Sequence, residues 1–299
     1  RQLSYVPNPY AGSLRKKSSK TIAIVLPEVA DSFFSLAING IESAAQEKGY
    51  HVLIYLTHES LAKEVAILKD FQSGRVDGVL ISVSSETENT LHIQRLFEAG
   101  MPIVFFDRVC EDIDTAKITT DDFEGGYNAT RHLASQGCKN IALLSISSCL
   151  SICQSRQQGY EKALQDYSLK STKDNILCLS NNEELNFATI KKRLSKRDRP
   201  DGIVATVEKL ITPIYLACME LNLPIPGKVK VIGFSNQSTA PILNPALTTI
   251  TQPAFEMGKA AATILFKALE KSSFSLKKEH LVVPSVLIKR ESTAAELNN

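Results

Sequence analysis

The sequence predicts an α/β protein built from two similar open parallel-sheet lobes, with a ligand cleft between them. Three observations carry this. From Thr21 onward, short apolar runs alternate with longer stretches of helical periodicity, the mark of βαβ units and a parallel sheet. The phrases VDGVLIS (76–82) and PDGIVAT (200–206) echo each other at matching places in the two halves. The chain has 299 residues, 43% hydrophobic and 22% charged, an ordinary globular mix long enough for two cores.

TIAIVLP, from Thr21, is a buried strand. FFSLAINGIESAAQEKG places Phe34, Ala37, Ile38, Ile41, Ala44 and Ala45 on one helical face, and Gly49 suits its C-terminal cap. HVLIYL (strand), LAKEVAILKDFQSG (helix), DGVLIS (strand), ENTLHIQRLFEAG (helix) and PIVFFD (strand) continue the alternation. ITTDDFEGG is a strand end followed by a helix start, with one of Asp121 and Asp122 as cap. After IALLSI, a second series follows: SRQQGYEKALQDY, NFATIKKRLSK and KLITPIYLACMEL are helical, and NILCL, DGIVAT and VKVIGF are strands. PALTTITQPAFEMGKAAATILFKAL adds a strand and a long helix, and HLVVPSVLIKR closes with strands. The expected division is 1–20 as a leading segment, 21–146 with about 238–271 as one lobe, 147–237 with about 272–290 as the other, and 291–299 as a tail.

Several function classes find no support. No Gly-x-Ser-x-Gly elbow, Walker A loop, Gly-x-Gly-x-x-Gly fingerprint or His-Glu-x-x-His pair occurs, so no enzyme is expected. The five histidines (51, 58, 92, 132, 280) are scattered. Cysteines 110, 138, 149, 153, 178 and 218 lie in or beside apolar runs, which predicts reduced thiols, with no metal and no cofactor. No apolar run nears the ~18 residues of a membrane span, and no signal-peptide core precedes the body, so a cytoplasmic protein is expected.

The leading segment, YVPNPYAGSLRKK (5–17), has another character. Asn8 before Pro9 is a helix-start signal, a capping side chain followed by proline at the first helical position. A seven- or eight-residue helix containing Gly12 forms only when something packs on it. The net charge is only +2, yet Arg1, Arg15, Lys16, Lys17 and Lys20 all precede the first acid, Glu28. That asymmetry points to an anionic partner at this end.

From this stretch through the first βα unit, the chain resembles the lactose/galactose-repressor family of bacterial transcription regulators. DGVLIS, PIVFFDR, TTDDFEGGYNATRHLASQGCKNIALLS, RQQGYEKAL, VKVIGF and PALTTITQPAFEMGKAAATIL extend the resemblance in order over residues 3–290. It implies a helix-turn-helix head ending in LSYVPN, a hinge helix over 9–16 that folds on operator DNA, and a two-lobed core that dimerises. The effector would change the angle between lobes, and with it the spacing of the paired hinge helices. Asn8, Tyr10, Ser13, Arg15 and Lys16 match the hinge, and Leu14 matches a leucine that wedges into the minor groove.

The resemblance also implies an effector site from polar groups at strand ends: Ser82, Asp107, Arg156, Glu208 and Ser235, with Phe33 and Phe34 as the aromatic pair at the cleft mouth. A carboxylate opposite a guanidinium fixes a hydroxylated or anionic ligand through paired bonds. Other positions depart from the family. Val207–Glu208 replaces Asn-Asp, Ser235–Asn236 replaces the usual aspartate, and Leu150 and Ile152 stand where purine-responsive members place polar contacts. Three kinds of regulation remain: a less polar or larger ligand, a sugar phosphate or other phosphorylated metabolite gripped by Arg156, or a protein partner. The rival readings from other classes are a solute-binding protein of a sugar transporter and an enzyme on the same scaffold.

Overall fold

The computed structural model describes residues 18–148, 150–271 and 273–294. They fall into two compact units. The first comprises residues up to Glu28, Ala37–Ile118 and Phe255–Leu281; the second comprises Val29–Leu36, Thr119–Ala254 and the residues from Val282 onward.

The first unit holds a six-stranded sheet of β1 (Thr21–Leu26), β2 (His51–Leu56), β3 (Gly78–Ile81), β4 (Ile103–Phe106), β5 (Lys117–Thr120) and β11 (His280–Val283), ordered β11-β5-β4-β3-β1-β2. β1 pairs in parallel with both β2 and β3, through Ile22↔Val52 and Ile22↔Gly78. β1, β3 and β4 are continuous apolar runs, as strands covered on both faces are, and β3 and β4 are buried throughout. β2 is one edge, and Leu53 and Ile54 on it stay exposed. Helices α1 (Ser32–Glu47), α2 (Leu61–Asp70), α3 (Leu91–Glu98) and α8 (Ala254–Glu270) belong wholly or mostly to this unit. Ser60 caps α2 by accepting from the Lys63 N–H, and Gly49 follows α1 at φ +65°, the left-handed position expected of it.

The second unit repeats the plan. β6 (Ile141–Ser145), β7 (Ile176–Cys178), β8 (Gly202–Ala205), β9 (Lys230–Phe234), β10 (Thr248–Thr251) and β12 (Val286–Ile288) take the order β12-β10-β9-β8-β6-β7. β12 runs antiparallel to β10, whereas β6, β7, β8, β9 and β10 pair in parallel. Helices α4 (Asp122–Ser135), α5 (Ser151–Asp166), α6 (Glu183–Leu194) and α7 (Ile211–Glu220) pack with it. Ala129, Leu133, Tyr160, Leu164, Val204 and Phe234 form part of its core, and the buried Tyr160 hydroxyl donates to the Ile141 carbonyl.

The DG phrases have the same job in both units. Asp77 precedes β3 and holds the chain entering β1, while Asp201 precedes β8 and holds Lys139 and Asn140 at the start of β6.

The lobe boundaries expected from sequence are corrected by strand pairing. β6, placed in the first lobe by the division at 146, hydrogen-bonds to β7 and β8. β10, also assigned to the first lobe, pairs with β9 and β12. HLVV and VLI, both placed in the second lobe by the 272–290 assignment, enter different sheets. Apolar patterning marks a strand but does not say which sheet edge it joins. The capping role is corrected as well: Asp121 makes no side-chain cap, and its Oδ1 accepts from the Ser285 N–H and hydroxyl, both at 2.7 Å.

Candidate functional site

In the second unit, α4 and α5 cross with their backbones in contact. A methyl group at Gly126 would strike the Arg156 carbonyl, and one at Gly159 would strike the Phe123 carbonyl. Only glycine permits that approach. The crossing sets Asp122, in the first turn of α4, against Arg156 of α5: Arg156 Nε donates to Asp122 Oδ1 at 2.7 Å. Nη1 donates to the Thr206 carbonyl, and the guanidinium lies 4.0 Å from the Phe234 ring centre. Arg156 is 2% exposed. Burial pushes the Asp122 carboxyl above the ordinary carboxylate range, with Arg156 pulling it back.

Two atoms here lack hydrogen-bond partners. Arg156 Nη2 stands 2.7 Å from Asp122 Oδ1 but outside hydrogen-bond geometry, so the contact is an ion pair only. The Thr206 hydroxyl, at the carboxyl end of β8, is also buried and unpaired. Each unmet buried group costs about 1–3 kcal/mol.

Glu208 and Ser235 come together as well. The Glu208 carboxylate accepts from the Ser32 N–H (2.9 Å) and hydroxyl, the Ser235 hydroxyl (2.8 Å) and the Asn236 N–H (3.0 Å). Ser32, at the first turn of α1, is an unforeseen partner of this carboxylate. Phe33 and Phe34 form an edge-to-face pair at 5.4 Å, and both are buried. Leu150 and Ile152 are 3% exposed, apolar packing at the start of α5.

In the first unit, Ser82 and Asp107 meet at the ends of β3 and β4, where the Ser82 hydroxyl reaches Asp107 Oδ2 at 3.4 Å. Asp107 has φ +60°, an unusual conformation for a non-glycine residue. Arg108 pairs chiefly with Glu59, its Nη1 sitting 2.9 Å from both carboxylate oxygens, while Asp107 lies 3.8 Å from Nε. Beside them the fully buried Glu64 takes the Ser84 N–H (2.8 Å), the Thr87 hydroxyl (2.9 Å) and His92 Nε2 (2.7 Å). Glu59 and Glu64 were missed because each stands alone in sequence with no motif around it, and Thr206 because nothing in sequence marks its hydroxyl as unpaired. Thr206 did close the PDGIVAT echo of VDGVLIS, at the place that Ser82 takes in that phrase. Asn8, Tyr10, Ser13, Leu14, Arg15 and Lys16 lie outside the described residues.

A family of periplasmic binding protein-like domains matches residues 130–293. The HTH-type transcriptional repressor PurR of Vibrio vulnificus is 30% identical over 273 residues, covering 90% of this chain and 80% of that protein. The chain belongs to the LacI family of transcriptional regulators. RegA of Clostridium saccharobutylicum, an HTH-type transcriptional regulator, is 28% identical over 294 residues, 98% of this chain and 87% of that protein. The structure of a LacI family transcriptional regulator from Enterococcus faecium with bound ribose overlays with a TM-score of 0.80 at 26% identity, covering 92% of this chain and 98% of that one. Both sheets of this LacI-family chain are of the mostly parallel kind that the resemblance implied. No described helix is long and apolar enough to cross a membrane.

Proposed function

We propose that this regulator binds a small, neutral, hydroxyl-rich effector at the strand-end cluster of the second unit, and that binding changes its affinity for operator DNA. The observation that supports the ligand class is the pair of unmatched buried donors, Arg156 Nη2 and the Thr206 hydroxyl. An uncharged ligand oxygen satisfies both. A phosphate is a poorer match, because Asp122 already balances the Arg156 charge. Glu208 and Ser235 offer acceptors to ligand hydroxyls, with Ser32 as the competitor to be displaced. Ser82 and Asp107 are the equivalent strand-end groups of the first unit, and Phe33 and Phe34 supply apolar surface for a ring. The ribose in the Enterococcus faecium relative is of the proposed chemical class.

Thr206→Val tests this. It removes an unpaired buried hydroxyl, so the unliganded protein keeps or slightly gains stability. A thermal-shift screen of sugars, sugar phosphates and nucleosides identifies the ligand, since whatever binds only the folded state raises its melting temperature. Calorimetry then reads Thr206→Val as about 5–10-fold weaker binding, the loss of one hydrogen bond of about 1 kcal/mol. Equal affinity for the valine variant would remove Thr206 from the site. A sugar phosphate as the sole stabilising compound would refute the neutral-ligand reading.

The same reading takes residues 8–16 as the operator-contacting hinge and two copies of the chain as the working unit. Leu53 and Ile54 on the β2 edge and Val65 on α2 are exposed apolar side chains, available for burial by a second copy. Sedimentation of the full-length protein tests this: Ile54→Lys is expected to shift dimers toward monomers, and an unchanged distribution removes β2 from the contact.

A further inference from the structure

Asp77 grips the chain where it emerges toward residue 17. Its Oδ1 accepts from the Ser19 N–H (2.7 Å) and hydroxyl (2.8 Å). Its Oδ2 accepts from the Ser18 hydroxyl (2.5 Å) and the Lys20 N–H (3.1 Å). One carboxylate thus holds three consecutive residues. Asp201 does the same for Lys139 and Asn140, at 2.9–3.1 Å. In the second unit, however, the held chain arrives from α4 through Gly137, a closed connection. In the first unit the device holds the residues that directly follow the basic run Arg15–Lys17 in sequence.

We propose that Asp77 is a positioning residue for DNA binding: its grip on Ser18, Ser19 and Lys20 fixes where the DNA-contacting segment leaves the core. This rests on the reading of residues 8–16 as that segment. Ser18 lies two steps along the chain from Lys16, a reach of roughly 7 Å at ~3.5 Å per residue. Without the grip, Ser19 keeps its local bond from the Thr21 hydroxyl (3.1 Å), and the first residue tied to a neighbouring strand is Lys20, whose carbonyl accepts the His51 N–H at 2.8 Å. The reach then doubles to roughly 14 Å. The accessible volume grows about eightfold, and the arm's effective concentration at its DNA site falls in proportion. Room for the swing exists: Ser18, Ser19 and Asp77 border an open cavity of about 780 Å³ floored by Phe71, Leu96 and Met101.

The test uses the full-length protein, a DNA duplex that the wild type selects from a randomised library, and brief trypsin treatment. Asp77→Ala is expected to bind that duplex about eightfold more weakly per arm. It should also be cut about tenfold faster after Lys17 and Lys20, relative to every other site in the same chain. Ser18→Ala with Ser19→Ala leaves Asp77 in place, removes two of its four bonds, and should shift both readouts the same way; it decides the matter where Asp77→Ala does not fold. Asp77→Asn keeps one acceptor oxygen and should fall between. Asp201→Ala, the control, should change neither the cutting after Lys17 nor the duplex affinity. Cutting that rises equally at all sites would mean general loosening and would overturn the proposal. Faster cutting after Lys17 with unchanged duplex affinity would keep the grip but remove its role in DNA binding, and with it the hinge reading. Unchanged cutting in a folded variant would overturn the grip itself.

Discussion

At the scale of the residue, the candidate site is defined by what each polar group has already found. Arg156 was legible from its place at the start of RQQGY, yet its partners were not, because Asp122 lies 34 residues away in sequence and meets it only through the helix crossing. Truncating Arg156 to Ala strands a buried carboxylate, and denaturant unfolding should show a loss of about 3–5 kcal/mol. A second expectation concerns His132, whose Nε2 meets the Thr293 hydroxyl at 2.8 Å at the end of α4. Burial, with Lys289 and Arg131 nearby, lowers its pKa from the usual 6.5. The folded state therefore binds this proton less readily than the unfolded chain. The histidine's contribution to stability is full above about pH 6.5 and is lost as pH falls through the lowered folded value. In His132→Gln, stability between pH 6.5 and more acid conditions should fall less steeply than in the wild type, and parallel curves would exclude His132 as the source.

At the scale of the element, nearly every strand and helix was visible in the apolar periodicity, because buried parallel strands must be continuous apolar runs. Sheet membership was not visible. β6, β10 and β11 each went to the lobe that sequence order did not suggest. The helix crossing was also hidden, since a glycine in a helix looks like a weakness until the neighbouring backbone is known. Gly126→Ala must drive α4 off α5, because the added methyl meets backbone that has no rotamer to escape into. The expected cost is about 1–3 kcal/mol or more in unfolding measurements. Effector binding should weaken along with stability, since the same crossing sets Asp122 against Arg156. Gly137→Ala, at φ +88° with nothing within 4 Å of the new methyl, should cost stability alone and leave the site intact.

At the scale of the whole molecule, the two units share one strand order, one small-residue helix crossing apiece and one aspartate grip apiece. Gly40 and Gly258 meet backbone in the first unit as Gly126 and Gly159 do in the second. The repeated DG phrases announced this duplication, and the resemblance to a repressor family was legible across most of the chain. The effector was not, because ligand chemistry depends on which buried groups are left unmatched, and that is a property of packing. The central claim is that a ligand at this core alters DNA binding. Its most direct test is the operator affinity of the full-length protein, measured by fluorescence anisotropy with and without the compound that most raises the melting temperature. A neutral hydroxylated compound should change that affinity at least fivefold, the lower end of ordinary coupling energies. Identical affinity with and without it, at saturating concentration, would contradict the account.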